Sequence, residues 1–233
     1  MRPPLLIVKP GTTDPPVVRA HGDYDAWFVQ RLPDGPARCT VVPAWTGAPL
    51  PDPTAYGGVL VTGSPLSVRD EDPWMEQMGH WMLRAAAAGV PVFAICFGHQ
   101  VLGEVLGGRV GLNPAGREVG TVTVETTAAG RADPLFAGLG HSFEVQATHG
   151  DALVRPPTDP RVVRLAGNDN TRWQAFGVGE RIRAVQFHPE LRHQALTALL
   201  QNRGEQGVVR PCPAGARMLR NWDDHWVSGA GAP

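Results

Sequence analysis

Lysine is almost absent: Lys9 is the only one, and the other twenty of the 21 cationic side chains are arginine. This excludes a Gly-Lys-Ser/Thr phosphate loop and leaves Schiff-base chemistry only a lysine beside a proline near the N-terminus. Any nucleotide-dependent step is therefore assigned to another chain. Cysteine is scarce as well. Cys39, Cys96 and Cys212 are odd in number and far apart, which argues against a disulfide framework or a Cys-rich zinc site and makes a reducing cytoplasm the expected location. No hydrophobic run reaches the length of a membrane span, and the N-terminal one is too short for a secretion signal. Excess charge is missing too: the formal net charge is -1 with no dense basic stripe, so capture of nucleic acid or of an anionic membrane is not expected. A small neutral or zwitterionic substrate fits this balance.

What is present is enough apolar material for a large core, 42% of 233 residues, and a domain of this length buries roughly 70 to 75% of the surface of its unfolded chain. Short apolar runs alternate with helical segments, the pattern of an α/β domain around a mostly parallel sheet. Strands are expected at "LLIV" (5–8), "RCTVV" (38–42), "GGVLVTG" (57–63) and "VPVFAI" (90–95), with a helix at 24–32. A second helix is marked by Trp74, Met78, Trp81, Met82 and Ala85 on one face, read as core packing. "FGHQVLGEVLGG" (97–108) predicts a further helix ended by glycines. Beyond it the segments turn β-rich: 118–126, 142–149, 161–167, 172–178 and 181–190, followed by helices over 191–202 and 214–227. The 28 glycines and 23 prolines are spread between elements, so a single domain over 1–233 is expected, with its motifs in 57–190 and a helical tail in 191–233.

The chemistry concentrates at "PVFAICFGHQ". A cysteine at a strand end is ordinarily a small hydrophobe. Cys96, however, closes a strand and opens a helix, where ligands gather in doubly wound domains and where the helix dipole favours a thiolate. With Gly98 two residues on, this resembles a nucleophile elbow carrying sulfur. A base is then needed, and His188 in "VQFHPE" is the histidine with a partner. In an extended chain residues i and i+2 share a side, so Glu190 can hold the His188 imidazole in one tautomer. Metal ligation by His188, Glu190 and His193 is disfavoured, because the spacing is not His-Glu-x-x-His and Pro189 disturbs the helix. The loop "VTGSPLSV" (61–68) offers backbone N–H groups at Gly63 and Ser64, and Phe97 another, for a developing oxyanion.

With these motifs assembled, the chain resembles the class I glutamine amidotransferases, the triad glutaminases, and in particular the stand-alone group similar to the glutaminase part of GMP synthetase. The resemblance is carried in order by "GGVLVTGSPLSV", "PVFAICFGHQVLGEVLGG", "NPAGREVG", "ATHGD" and "VQFHPE". It implies a flavodoxin-like, three-layer, doubly wound sheet with an additional antiparallel β segment, and no cofactor or metal. It implies Cys96 as nucleophile on the glutamine amide, His188 as proton carrier, Glu190 as its orienter, Gly63 and Phe97 as oxyanion donors, and Ser64 and Gln100 as substrate contacts. Ala94 departs from the family, which often has glycine there. About forty residues follow Glu190, too few for an ATP-handling domain, so the expectation is either ammonia delivery to a separate synthetase or water or another amine as the acyl acceptor. A γ-glutamyl peptidase using the same triad, and a non-catalytic glutamine sensor, are the alternatives.

Overall fold

A computed structural model describes residues 2–229. In chain order the strands are β1 (Leu5–Lys9), β2 (Cys39–Pro43), β3 (Gly58–Val61), β4 (Val92–Ile95), β5 (Arg109–Leu112), β6 (Glu118–Thr126), β7 (Ser142–His149), β8 (Asp151–Arg155), β9 (Val162–Gly167), β10 (Ala175–Val178) and β11 (Ile182–Val185). The α-helices are α1 (Pro15–His21), α2 (Tyr24–Val29), α3 (Gly35–Arg38), α4 (Pro73–Ala87), α5 (Phe97–Val105), α6 (Ala128–Ala132), α7 (His193–Arg203) and α8 (Ala214–Trp222).

Nine strands form one sheet in the order β2-β1-β3-β4-β11-β10-β9-β6-β7, and β5 pairs with β8 apart from it. From β2 to β11 every pairing is parallel, and from β11 to β7 every pairing is antiparallel. The expected extra β segment is thus mostly a continuation of the main sheet.

The parallel strands read as unbroken apolar runs because both faces are covered. Alternate residues of β1 go to opposite layers: Leu6 and Val8 pack with Met78, Met82 and Val101 of α4 and α5, while Leu5 and Ile7 pack with Phe28, Met218 and Trp222 of α2 and α8. Helix α4 begins with Asp72 at its N-cap and Pro73 in the first turn, where a missing N–H costs nothing. Its Met78, Trp81, Met82 and Ala85 are buried as the periodicity predicts. Trp74, expected with them, is half-buried and stacks on Phe97 with ring centroids 5.9 Å apart.

The C-terminal helix is clamped to the start of the chain. Asp223 is fully buried and takes two hydrogen bonds from Arg38, at 3.0 and 2.7 Å, and a third from Arg2. Among the described residues no helix is long and apolar enough to cross a membrane. Helices α1, α3 and α6 and the β5–β8 pair have no counterpart among the sequence expectations: each is seven residues or fewer, too short to show a helical face or a run of strict alternation.

Candidate active site

Strands β3, β4 and β11 run parallel, so the loops after them converge at one edge of the sheet and bring Gly63, Cys96 and His188 together. At Cys96 the chain turns from β4 into α5 with φ 49° and ψ -93°, a left-handed backbone that strains a residue with a side chain by about 1 to 3 kcal/mol. The turn is held from both sides. The Cys96 N–H donates to the Val185 carbonyl at 2.7 Å, and the Gln100 N–H donates to the Cys96 carbonyl at 3.0 Å. Gly98 lets α5 settle on β3: a Cβ there would lie 3.0 Å from Val61 Cγ1 and 3.3 Å from the Ala94 methyl. Ala94 itself is buried in β4, opposite Val61 and Ala184, so its methyl is absorbed by the core.

His188 and Glu190 are neighbours, by a route different from the extended one expected. Strand β11 ends at Val185, and His188 makes a single bridge to β7 by donating its N–H to the Gln146 carbonyl at 2.8 Å. The chain then turns through Pro189, and that turn brings Glu190 Oε1 to 2.7 Å from His188 Nδ1. Both side chains are buried. Burial by itself would push the His188 imidazole down, but the Glu190 carboxylate and the Cys96 sulfur together raise it to about 10, so the ring is an imidazolium at neutral pH. With Nδ1 committed to Glu190, Nε2 is the nitrogen left for chemistry. The Tyr24 ring stacks over His188 at a centroid distance of 6.4 Å and an interplanar angle of 20°.

Gly63 sits against this pair. A Cβ on it would come within 2.7 Å of His188 Cε1 and 3.6 Å of Cys96 Cβ, so glycine is required here by space. Phe97 opens α5, where the first N–H groups have no partner within the helix. Cys96 and Phe97 line a cavity of about 500 Å³ whose wall includes Ser64, Gln100, His149 and Arg117. Ser64 Oγ donates to the Pro10 carbonyl at 3.1 Å and accepts from the Leu66 N–H at 3.1 Å, which shapes the loop. Gln100 Nε2 donates to the Asp151 carbonyl at 2.9 Å and to Gln186 Oε1 at 3.1 Å. Both its N–H donors are thereby used, leaving the oxygen for a ligand. All seven residues singled out in the sequence therefore lie at one edge of the sheet.

Sequence reasoning passed over several buried polar groups around them. Gln186, inside the quoted "VQFHPE", is fully buried with Nε2 3.5 Å from Cys96 Sγ. His149 places Nε2 3.0 Å from Glu118 and Nδ1 3.0 Å from the Asp151 carbonyl. Burial would raise the Glu118 carboxyl, but His149 and Asn168 hold it below its usual range. His99 is buried against Phe176 at 4.8 Å, with no hydrogen-bond partner for either ring nitrogen among the described residues. Burial, with His149 nearby, pushes it down to about 3. Among the described residues no group of three or more His, Cys, Asp or Glu side chains is placed to hold a metal ion.

A strained cysteine at a helix N-terminus, a buried histidine–carboxylate pair and free backbone donors beside a cavity make up the equipment for covalent acyl transfer. Known proteins resemble this chain over most of its length. The family model "Glutamine amidotransferase class-I" matches residues 17–206. A GMP synthase (glutamine-hydrolyzing) of Thermomicrobium roseum is 34% identical over 183 residues, covering 76% of this chain and 32% of that protein. A subunit of the Saccharolobus solfataricus GMP synthase (glutamine-hydrolyzing) is 34% identical over 148 residues, covering 62% of this chain and 73% of its own length. The chain spans about a third of the length of the Thermomicrobium roseum protein and of the Aeropyrum pernix GMP synthase, at 32% and 33%. A crystal structure of a glutamine amidotransferase from Methylobacillus flagellatus superposes with a TM-score of 0.74 at 20% identity, covering 97% of this chain and 94% of that one.

Proposed function

We propose, from the premise that this chain belongs to the class-I glutamine amidotransferase family, that it hydrolyses the side-chain amide of glutamine through a γ-glutamyl thioester on Cys96 and passes the ammonia to a separate acceptor enzyme. The observation that carries the reading is the strained Cys96 elbow facing the His188–Glu190 pair, 2.7 Å apart.

In this mechanism the Cys96 thiolate attacks the amide carbon, and the negative charge that forms on oxygen is met by the N–H groups of Gly63 and Phe97. His188 Nε2 gives its proton to the departing nitrogen, the C–N bond breaks, and ammonia leaves. Neutral His188 then takes a proton from water, hydroxide attacks the thioester, and glutamate and the Cys96 thiolate are released with His188 reprotonated. Glu190 keeps Nδ1 protonated throughout. Ser64 and Gln100 hold the substrate end of the cavity, Gln100 through its free oxygen. The shorter relatives are named as subunits of a GMP synthase, which supports delivery of ammonia to a second chain.

One observation favours a second reading. The cavity of about 500 Å³ falls in the range that encloses drug-sized ligands, larger than a single amino acid needs, and its rim carries Arg69 and Arg117. Such a site also suits a γ-glutamyl amide with a carboxylate on its leaving group. Glutamate release from glutamine, run beside a panel of γ-glutamyl dipeptides, separates the two. Faster turnover of glutamine supports the glutaminase, and dipeptide turnover with little glutamine turnover replaces it with a peptidase.

A further inference from the structure

Between the nucleophile and the antiparallel half of the sheet runs a buried chain of amides that has one self-consistent orientation. The backbone carbonyl of Asp151 can only accept hydrogen bonds. Gln100 Nε2 lies 2.9 Å from it, and the reversed amide would set two oxygens against each other. With Gln100 fixed as a donor, Gln186 must offer it Oε1, at 3.1 Å. The Nε2 of Gln186 then faces Cys96 Sγ at 3.5 Å, a hydrogen-bonding distance for sulfur. Nothing in this chain is free to turn. Gln186 is fully buried, with its backbone N–H on the Gln174 carbonyl at 2.8 Å. The Asp151 carbonyl is also met by His149 Nδ1 at 3.0 Å, and the Glu118 carboxylate behind that ring takes further bonds from Gln174 and Asn168, each at 2.6 Å.

We propose that Gln186 is a further catalytic residue, whose oriented amide N–H hydrogen-bonds the Cys96 sulfur, favours the thiolate over the thiol and aims it for attack at the head of α5. The inference rests on the nucleophilic role proposed for Cys96. The proton lost by Cys96 goes to His188 Nε2, which gives the thiolate–imidazolium pair. A neutral thiol sulfur is a weak acceptor, whereas a hydrogen bond to the ionised form is roughly twice as strong as a neutral one. The donor therefore stabilises one protonation state over the other. Gln100 and the Asp151 carbonyl are positioning groups in this scheme, because they act on sulfur only through Gln186.

The test is alkylation of Cys96 by iodoacetamide in the intact protein at neutral pH without substrate, with peptide mass mapping to separate it from Cys39 and Cys212. Gln186→Met removes the donor at similar size and is expected to slow Cys96 alkylation about tenfold or more. Its kcat for glutamine falls by a similar factor while KM stays within about twofold, a split that general disorder of the pocket does not produce. Gln186→Glu keeps the shape and the bond from Gln100 but turns an oxygen onto the sulfur, and it is expected to slow alkylation at least as much. Wild-type alkylation in folded Gln186→Met overturns the proposal. Should that variant not fold, wild-type alkylation in Gln186→Glu overturns it equally. Because alkylation needs no substrate, slowed alkylation in a protein that turns over neither glutamine nor γ-glutamyl peptides would keep the Gln186–Cys96 hydrogen bond and overturn its catalytic role together with the functional reading.

Discussion

Gly63→Ala isolates the contribution of a single missing methyl. The Gly63 backbone lies outside the left-handed region, so alanine can adopt it, and the whole effect comes from contact. The added Cβ would sit 2.7 Å from His188 Cε1, while carbon atoms pack at about 3.5 to 4.0 Å. Ring and loop must therefore separate by about 0.8 Å or more. His188 has little room to give, since Glu190 holds Nδ1 and Tyr24 covers its face. A misplacement of about 1 Å in a reacting group costs roughly 10²-fold in rate, or about 2.7 kcal/mol of transition-state stabilisation. The loss in folding stability should be of similar size, about 1 to 3 kcal/mol as for other overpacked sites, which leaves a folded protein. The assay is kcat/KM for glutamate release from glutamine, beside a thermal melt. A folded Gly63→Ala protein with kcat/KM within twofold of wild type would refute the argument that this glycine exists to let His188 approach.

Two further results are expected. Glu190→Gln should lower kcat less than His188→Ala, because it removes orientation and charge while keeping the proton carrier; steady-state kinetics showing the reverse ranking would mean that the roles are misassigned. Two of the buried histidines, His99 and His188, should also give stability opposite pH dependences. His99 sits near 3 in the folded protein against about 6.5 unfolded, so the unfolded chain takes the proton first and stability is lost as pH falls below about 6.5. Between about pH 7 and pH 5 that loss is roughly 2 kcal/mol, and His99→Leu should abolish it in denaturant titrations at the two pH values. His188, raised to about 10, contributes stability that is present below about 6.5 and disappears as pH rises toward 10, a slope that His188→Ala should lack.

Much of this was legible in the chain because strong signals act locally. Double-sided burial writes itself as the unbroken runs of β1, β3 and β4, and the α4 stripe repeats at helical spacing. Cys96 could be placed because a strand, a cysteine, a glycine and a helix are contiguous. Long-range facts were hidden. The sequence carries no sign that β10, β9, β6 and β7 continue the main sheet, since strand order is set by packing between distant segments. The neighbouring of His188 and Glu190 was expected from an extended chain, yet a turn at Pro189 delivers it. Gln186, His149 and Glu118 escaped notice because a buried amide or ion pair has no spacing rule: its partners lie tens of residues away and are found only when the sheet closes.

The proposed reaction passes through a covalent intermediate on Cys96. It is tested most directly by mixing the protein with glutamine, quenching in acid during turnover and mapping the peptides by mass. A Cys96 peptide heavier by one glutamyl group is expected, with neither adduct nor glutamate release in Cys96→Ala. Glutamate release by Cys96→Ala at a rate near that of wild type would contradict it.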